Sequence, residues 1–265
     1  MTPRLATLLI ALAACVAASA TSPRRASAQE LKSNAMISNG AAPVDTTKPK
    51  PVTSFTGDLG FVNASGNTNL TTLTVGDKIV RTDGLWMFTQ TGTYISSETN
   101  NKQSANQLRL GVRADYAFKP RLSVFAGGSY ERNTFAGFNS RADEIAGVAW
   151  KAILAPWDSA RVDVGGVLTQ ESDVNGTNQS YPSARAALNY KHQFSKLAYF
   201  SQFVEYILNL QSSGSYRFNT ESALVAPISA HIGIKLAYGI RFDSRPQPTF
   251  GTTDRLLTTG IQVSY

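Results

Sequence analysis

The chain has 265 residues, 16% of them charged and 10% aromatic, with a formal net charge of +7 and a mean hydropathy of −0.15. Charge this sparse, below the roughly 25% of ordinary soluble domains, is made up by Gly, Ser, Thr, Asn and aromatic residues. Past residue 28 no apolar run approaches the roughly 18 residues that a membrane-crossing helix needs, which excludes a helical membrane protein.

In chain order, 1–28 reads as a secretory signal. Arg4 makes its start positive and 5–18 is apolar and rich in alanine. Small residues suited to cleavage follow at Ala18, Ser19 and Ala20, or at Ala26, Ser27 and Ala28. Cleavage after Ala28 removes Arg4, Arg24 and Arg25, leaving 22 basic residues against 18 acids and a net charge of +4. That modest surplus gives no case for a nucleic-acid partner. Cys15 is the one cysteine. "LAAC" over 12–15 resembles a lipoprotein acylation box, so lipidation and plain cleavage both stay open. After plain cleavage no thiol remains for disulfides or nucleophilic chemistry. The stretch 29–53 is polar and without period, carries Pro43, Pro49 and Pro51, and reads as a flexible periplasmic leader.

From 54 to 265 the hydropathy alternates with period two. In "NQLRLGVRADYAF" (106–118), Leu108, Leu110, Val112, Ala114, Tyr116 and Phe118 lie on one face, opposite Gln107, Arg109, Gly111, Arg113 and Asp115. Such alternation over a dozen residues is a strand with one apolar and one polar face. "ARVDVGGVLTQ" (160–170) sets Val162, Val164 and Leu168 against Arg161, Asp163 and Thr169. "SARAALNYKHQF" (183–194) sets Ala184, Ala186, Leu188 and Tyr190 against Arg185, Asn189 and Lys191. "AHIGIKLAYGIRFD" (230–243) sets Ile232, Ile234, Leu236 and Tyr238 against Lys235, Arg241 and Asp243.

About twelve such segments are predicted, starting near 54, 70, 85, 106, 122, 141, 160, 182, 196, 217, 230 and 254. Their length of roughly 10 to 13 residues suits tilted strands crossing a bilayer. Short connections at 82–84, 119–121, around Ser195 and at 227–229 alternate with longer polar loops at 98–105, 134–141, 172–181 and 245–253. Aromatic residues gather at strand ends on the apolar face. Trp86, Phe88, Tyr116, Phe118, Trp150, Tyr190, Phe194 and Tyr265 fall at one end, and Tyr94, Tyr130, Tyr206, Phe218 and Phe242 at the other. The predicted fold is all-β: a single transmembrane antiparallel up-and-down β-barrel of about twelve strands, closed by pairing of the first and last. An even strand number places both termini on the short-turn side, the periplasm.

The last stretch, "TTGIQVSY" (258–265), alternates up to its aromatic end. Thr258, Gly260, Val263 and Tyr265 resemble the C-terminal pattern through which the barrel assembly machinery recognises its clients. "GDLGFVNASGNTNLTTLTVGDK" (57–78) resembles the opening of the YdiY-like family, catalogued as salt-induced outer-membrane proteins with a domain of unknown function. "YERNTFAGFNSRADEIAGVAWK" (130–151) is similar to that family's middle segment. The resemblance spans roughly 55–265. It implies a barrel in a Gram-negative outer membrane and a link to salt or osmotic stress, and it brings no catalytic residue or cofactor.

Function is therefore sought in the lumen. The inward set holds Lys78, Arg109, Arg113, Lys151, Arg161, Arg185, Lys191, Lys235 and Arg241 against Asp115, Glu131, Asp143, Asp163, Glu205, Glu221 and Asp243. A lining so nearly balanced predicts ion-pair networks and a narrow, partly occluded lumen rather than a one-signed solute filter. Arg109, Arg113, Asp115, Arg161, Asp163, Arg185, Glu205 and Glu221 are the expected mid-lumen residues. A pore for ions or small solutes leads, a closed structural barrel comes next, and a barrel enzyme acting on lipid comes last. His192 and His231 are the only histidines and no G-x-S-x-G occurs, so no catalytic site, cofactor or metal is expected. "DVNGTN" (173–178) reads as a turn-rich loop rather than a calcium loop. Lys102, Arg132, Arg141, Arg217 and Arg245 are expected near the outer rim, where contact with lipid and lipopolysaccharide phosphate and ordinary loop solvation both stay open.

Overall fold

A strand with one apolar and one polar face satisfies its backbone inside a bilayer only if the sheet closes on itself. The computed structural model describes residues 51–64, 70–195, 198–248 and 250–265, and it is closed in this way. The strands are β1 (Val52–Ala64), β2 (Leu70–Asp83), β3 (Trp86–Thr99), β4 (Lys102–Lys119), β5 (Leu122–Asn133) and β6 (Phe138–Leu154). They continue as β7 (Asp158–Asp173), β8 (Asn178–Gln193), β9 (Tyr199–Asn209), β10 (Tyr216–Pro227), β11 (Ile232–Asp243) and β12 (Thr253–Ser264). Each is antiparallel to its chain neighbours, and β12 returns to β1. The expected signal and all but the end of the expected leader lie outside the described residues.

Every strand starts within four residues of its predicted position. The largest differences, at β4 and β8, have one cause. The stretch 98–105, expected as a long loop, is a hairpin in which β3 runs to Thr99 and β4 begins at Lys102. It turns on Asn100 and Asn101, both left-handed with φ of 50° and 61°, the conformation a two-residue I′ turn requires. Likewise β7 runs to Asp173 and β8 resumes at Asn178, with Gly176 at φ 87°. These strand ends are polar on both faces, so alternation does not reveal them, although their backbone ladders continue.

The outer surface is apolar. Leu59, Val112, Val164, Leu188, Ile234 and Ile261 are exposed there. Aromatic rings mark both ends of this band. At the end with short turns Trp86 stacks on Phe88 at 5.9 Å and packs against Tyr116 at 5.0 Å. At the end with longer loops Tyr216 lies between Tyr206 and Phe242, at 5.3 and 5.5 Å. The chain is thus inside out relative to a soluble protein: its buried residues include many charged side chains, and its exposed ones many aliphatic.

At the closing seam Gly60 faces Gly260. A side chain on Gly260 would run into the Leu59 carbonyl oxygen and come within 2.7 Å of the Gly60 Cα. The ladder extends to Tyr265, whose N–H donates to the Phe55 carbonyl at 2.9 Å while its own carbonyl accepts from the Phe55 N–H at 2.8 Å. The Tyr265 ring stacks on His231 at 4.8 Å.

Candidate functional site

Strand parity aims the polar face of each strand into the barrel, and the lumen is where these faces meet. The densest part joins β4 to β7. Arg113 donates to Asp115 through Nε (2.9 Å) and Nη2 (2.8 Å), and to Asp163 through Nη1 (2.7 Å). Arg161 donates to Asp163 at 2.7 Å and back to Asp115 at 2.5 Å. Two guanidiniums and two carboxylates therefore form a closed ring, all four buried. The intervening strands leave room for it: β5 and β6 place Gly127, Gly147 and Ala149 at inward positions beneath. Phe125 lies 3.7 Å below the Arg113 guanidinium, a cation–π contact.

The ring extends along β8 to β10. Arg185 Nη1 is 3.9 Å from Asp163 and its Nε donates to Glu205 at 2.6 Å. Asn219 donates to the other Glu205 oxygen at 2.8 Å. Further ties cross the lumen nearer the loop end. Glu131 accepts from Gln107 (2.6 Å), from Arg109, and from Arg241 on the opposite side of the barrel (2.7 Å). Arg217 on β10 donates to Asp143 on β6 at 3.2 Å, and Arg141 to Glu171 at 2.6 Å. Nearer the turn end, Asp58 accepts from Lys235 at 3.1 Å and from Gln262 at 2.9 Å. The Tyr199 hydroxyl donates to Gln262 at 2.9 Å.

Six of the eight residues read from the sequence as mid-lumen form this one chain: Arg113, Asp115, Arg161, Asp163, Arg185 and Glu205. Arg109 joins Glu131 instead. Glu221 stands apart on β10, facing a cavity of about 360 Å³. This cavity lies against the wall of β10–β12 and β1–β3, where Gly60, Thr74, Gly76, Thr93, Ala237, Gly239, Thr258 and Gly260 are small. Gly260 and Val263 lie on β12 and Tyr265 just past its end, in or beside the closing seam.

Two expected rim cations are placed differently. Arg141 and Arg217 point inward onto Glu171 and Asp143, and their side chains are only 12% exposed. Their parity with Asp143 and Glu221 is the signal that would have found this. Arg245 is bonded to Ser212 and Ser213 in the neighbouring loop, while Lys102 and Arg132 are exposed. Asp58, Tyr199 and Gln262 stand outside the expected lumen set. Asp58 follows Gly57, so alternation marks its face weakly, and Tyr199 lies between Ala198 and Phe200 at a strand start. Gln262 falls on the polar face of 258–265 without an expected role. His192 bonds Asp158 at 2.9 Å, an acid that also accepts from Tyr190. Among the described residues no three His, Cys, Asp or Glu side chains converge as a metal site.

A closed barrel with an apolar outside, aromatic belts and a charged, cavity-bearing inside defines a transmembrane β-barrel. The chain belongs to the family described as "Protein of unknown function, DUF481", whose profile matches residues 57–265. It is 24% identical over 225 residues to the uncharacterized protein YdiY of Escherichia coli (strain K12), covering 84% of this chain and 86% of that relative. The resemblance read from the 57–78 and 130–151 segments is thereby borne out.

Among solved structures, the NanC porin aligns with a TM-score of 0.46 at 11% identity, over 79% of this chain and 97% of that one. The KdgM porin in complex with disordered oligogalacturonate gives 0.44 at 14%, over 81% and 99%. The translocator domain of the autotransporter NalP from Neisseria meningitidis gives 0.43 at 13%, over 86% and 89%. Likeness at this level carries no argument about what this lumen admits.

Proposed function

We propose that the protein is a barrel of the Gram-negative outer membrane whose lumen is a narrow pore for ions or small solutes. The observation that carries this reading is the cavity of about 360 Å³, polar and charged in part, that runs beside the ion-pair network inside the barrel. Hydroxyls of Thr74, Thr93 and Thr258 and the charges of Asp58, Glu221, Lys235 and Arg241 line it. Short turns at one end and longer loops at the other fit periplasmic turns and external loops, which supports reading both termini as periplasmic. On this reading Lys102 and Arg132 meet lipopolysaccharide phosphates, and the β12 seam is what the assembly machinery receives. The connection to salt stress comes from the family resemblance. No catalytic role or cofactor is proposed.

A closed structural barrel is the second reading, and specific bonds favour it: Arg241–Glu131 spans opposite walls and Tyr199–Gln262 ties β9 to β12. Planar-bilayer recording of the refolded chain separates the two. Discrete conductance steps that grow in Arg241→Gln, with the cross-lumen tie gone, support the pore. Silence from both proteins, while unheated gels still show the folded-barrel band, would leave the structural reading standing and remove the pore.

A further inference from the structure

The lining carries Asp58, Glu221 and Asp254 against Lys235, Arg241 and Arg255, and the three acids differ in how their oxygens are satisfied. Asp58 is matched by Lys235 at 3.1 Å and also accepts from Gln262. Arg241 reaches across to Glu131 at 2.7 Å. Arg255 has the parity of Leu257 and Ile261 on β12, so it belongs to the outer surface. Among the described residues Glu221 and Asp254 make no direct ion pair, while Lys235 and Arg241 act on Glu221, and Arg241 on Asp254, through space. The Glu221 Oε1 atom is fully buried and has no hydrogen-bond partner among the described residues. A buried carboxylate oxygen without a donor is costly, and water or a bound cation in the adjoining cavity is what relieves that cost.

The two acids are staggered along one wall. Asp254 is the second residue of β12 at the loop end, beside Arg241 on β11. Glu221 lies deeper on β10, opposite Gly239, which keeps the wall between them open. Below Glu221, toward the turn end, lies the Asp58–Lys235 pair. A ligand entering from the loop end meets Asp254 at the mouth, Glu221 midway and a neutral ion pair further down, with threonine hydroxyls to either side.

We propose that this cavity is a binding chamber for a small monovalent cation, an alkali ion or a primary ammonium, with the Glu221 carboxylate as its principal ligand and Asp254 as its entry charge. The lining offers one unpartnered carboxylate oxygen among hydroxyls, the donor set of a weakly held monocation, and lacks the several convergent carboxylates a calcium cage needs. The inference goes beyond the pore reading, because binding at Glu221 does not require passage beyond the Asp58–Lys235 pair.

The test is sodium-23 NMR on the full refolded chain in micelles, titrated with sodium chloride at constant ionic strength set by a bulky organic cation. Wild-type protein should broaden the sodium line saturably. Potassium and methylammonium competition then separates an alkali site from an ammonium site. Glu221→Gln should weaken the apparent affinity by about tenfold, roughly 1.4 kcal/mol. Asp254→Asn, at the exposed mouth, should weaken it by a smaller factor. Arg255→Gln should leave it unchanged. Broadening that does not saturate, or saturates equally in folded Glu221→Gln and Asp254→Asn, overturns the proposal. A silent bilayer with saturable binding would sink the pore and keep the chamber, and steps without binding would do the reverse.

Discussion

On the wall of β4–β8, arginine and carboxylate from β4, β7 and β8 meet over the small inward residues of β5 and β6. On the wall of β10–β12 and β1–β3 glycine, alanine and threonine stand between the inward charged residues, and a cavity of about 360 Å³ remains. Both walls come from the same period-two alternation, the same twist and the same ladder. The contrast teaches that in a barrel of this diameter side-chain length on the inward face decides between plug and passage. Eight strands fill with side chains and sixteen or more leave a channel; at twelve, residue choice sets the outcome strand by strand.

The sharpest way to break the contrast is to remove the hub of the filled wall. Asp163 contacts Arg113 and Arg161 directly and lies 3.9 Å from Arg185, with its side chain fully buried. Asp163→Asn keeps the shape and removes the charge, leaving three guanidiniums with too few carboxylates. Breaking a buried pair in this manner costs on the order of 3–5 kcal/mol. Unfolding of the refolded barrel in urea, followed by loss of its heat-shifted gel band, should show a loss of that size. A loss below about 1 kcal/mol would mean that water reaches the ring and that the wall is not filled.

This network also shows how far the residues alone could be read. Arg113, Asp115, Arg161 and Asp163 stand two apart in strict alternation, so their common face was legible. What the alternation does not encode is stagger: which residue of β4 comes level with which residue of β7 depends on strand tilt and on register shifts such as that between Ala117 and Lys119. Partner choice was therefore not legible. Arg141 and Arg217 were misplaced because they stand near loops rich in polar residues, where composition suggests a rim. The open wall was the least visible feature, since glycine and threonine alternate weakly in hydropathy, and Asp58 between Gly57 and Gly60 carried little sign of its direction.

The open wall gives the intermediate test. Thr258 lines the cavity on β12, and its methyl lies 2.9 Å from where a side chain on Gly60 would begin. Thr258→Phe should fill empty space instead of displacing packed atoms, so its cost should fall at or below the low end of the roughly 1–3 kcal/mol typical of overpacking. The same variant should sharply reduce conductance steps and sodium binding. Loss of passage with stability retained would assign transport to this wall alone. Unchanged steps would place the path through the ion-pair side.

The smallest effect is expected where charge lies outside both walls. Arg81 and Asp83 approach to 3.9 Å near the turn end of β2, with side chains 56% and 54% exposed. Water and salt screen such a pair, and holding two flexible side chains together has an entropic cost. Arg81→Ala should change stability by no more than about 0.5 kcal/mol, and neither conductance nor sodium binding should move. The comparison with Asp163 is then between charges of the same kind on one barrel, differing only in burial and in number of partners. If Arg81→Ala cost as much as Asp163→Asn, the large effect inside the lumen could not be credited to the closed ring. It would have to come from net charge or from refolding efficiency, which any charge removal would disturb alike.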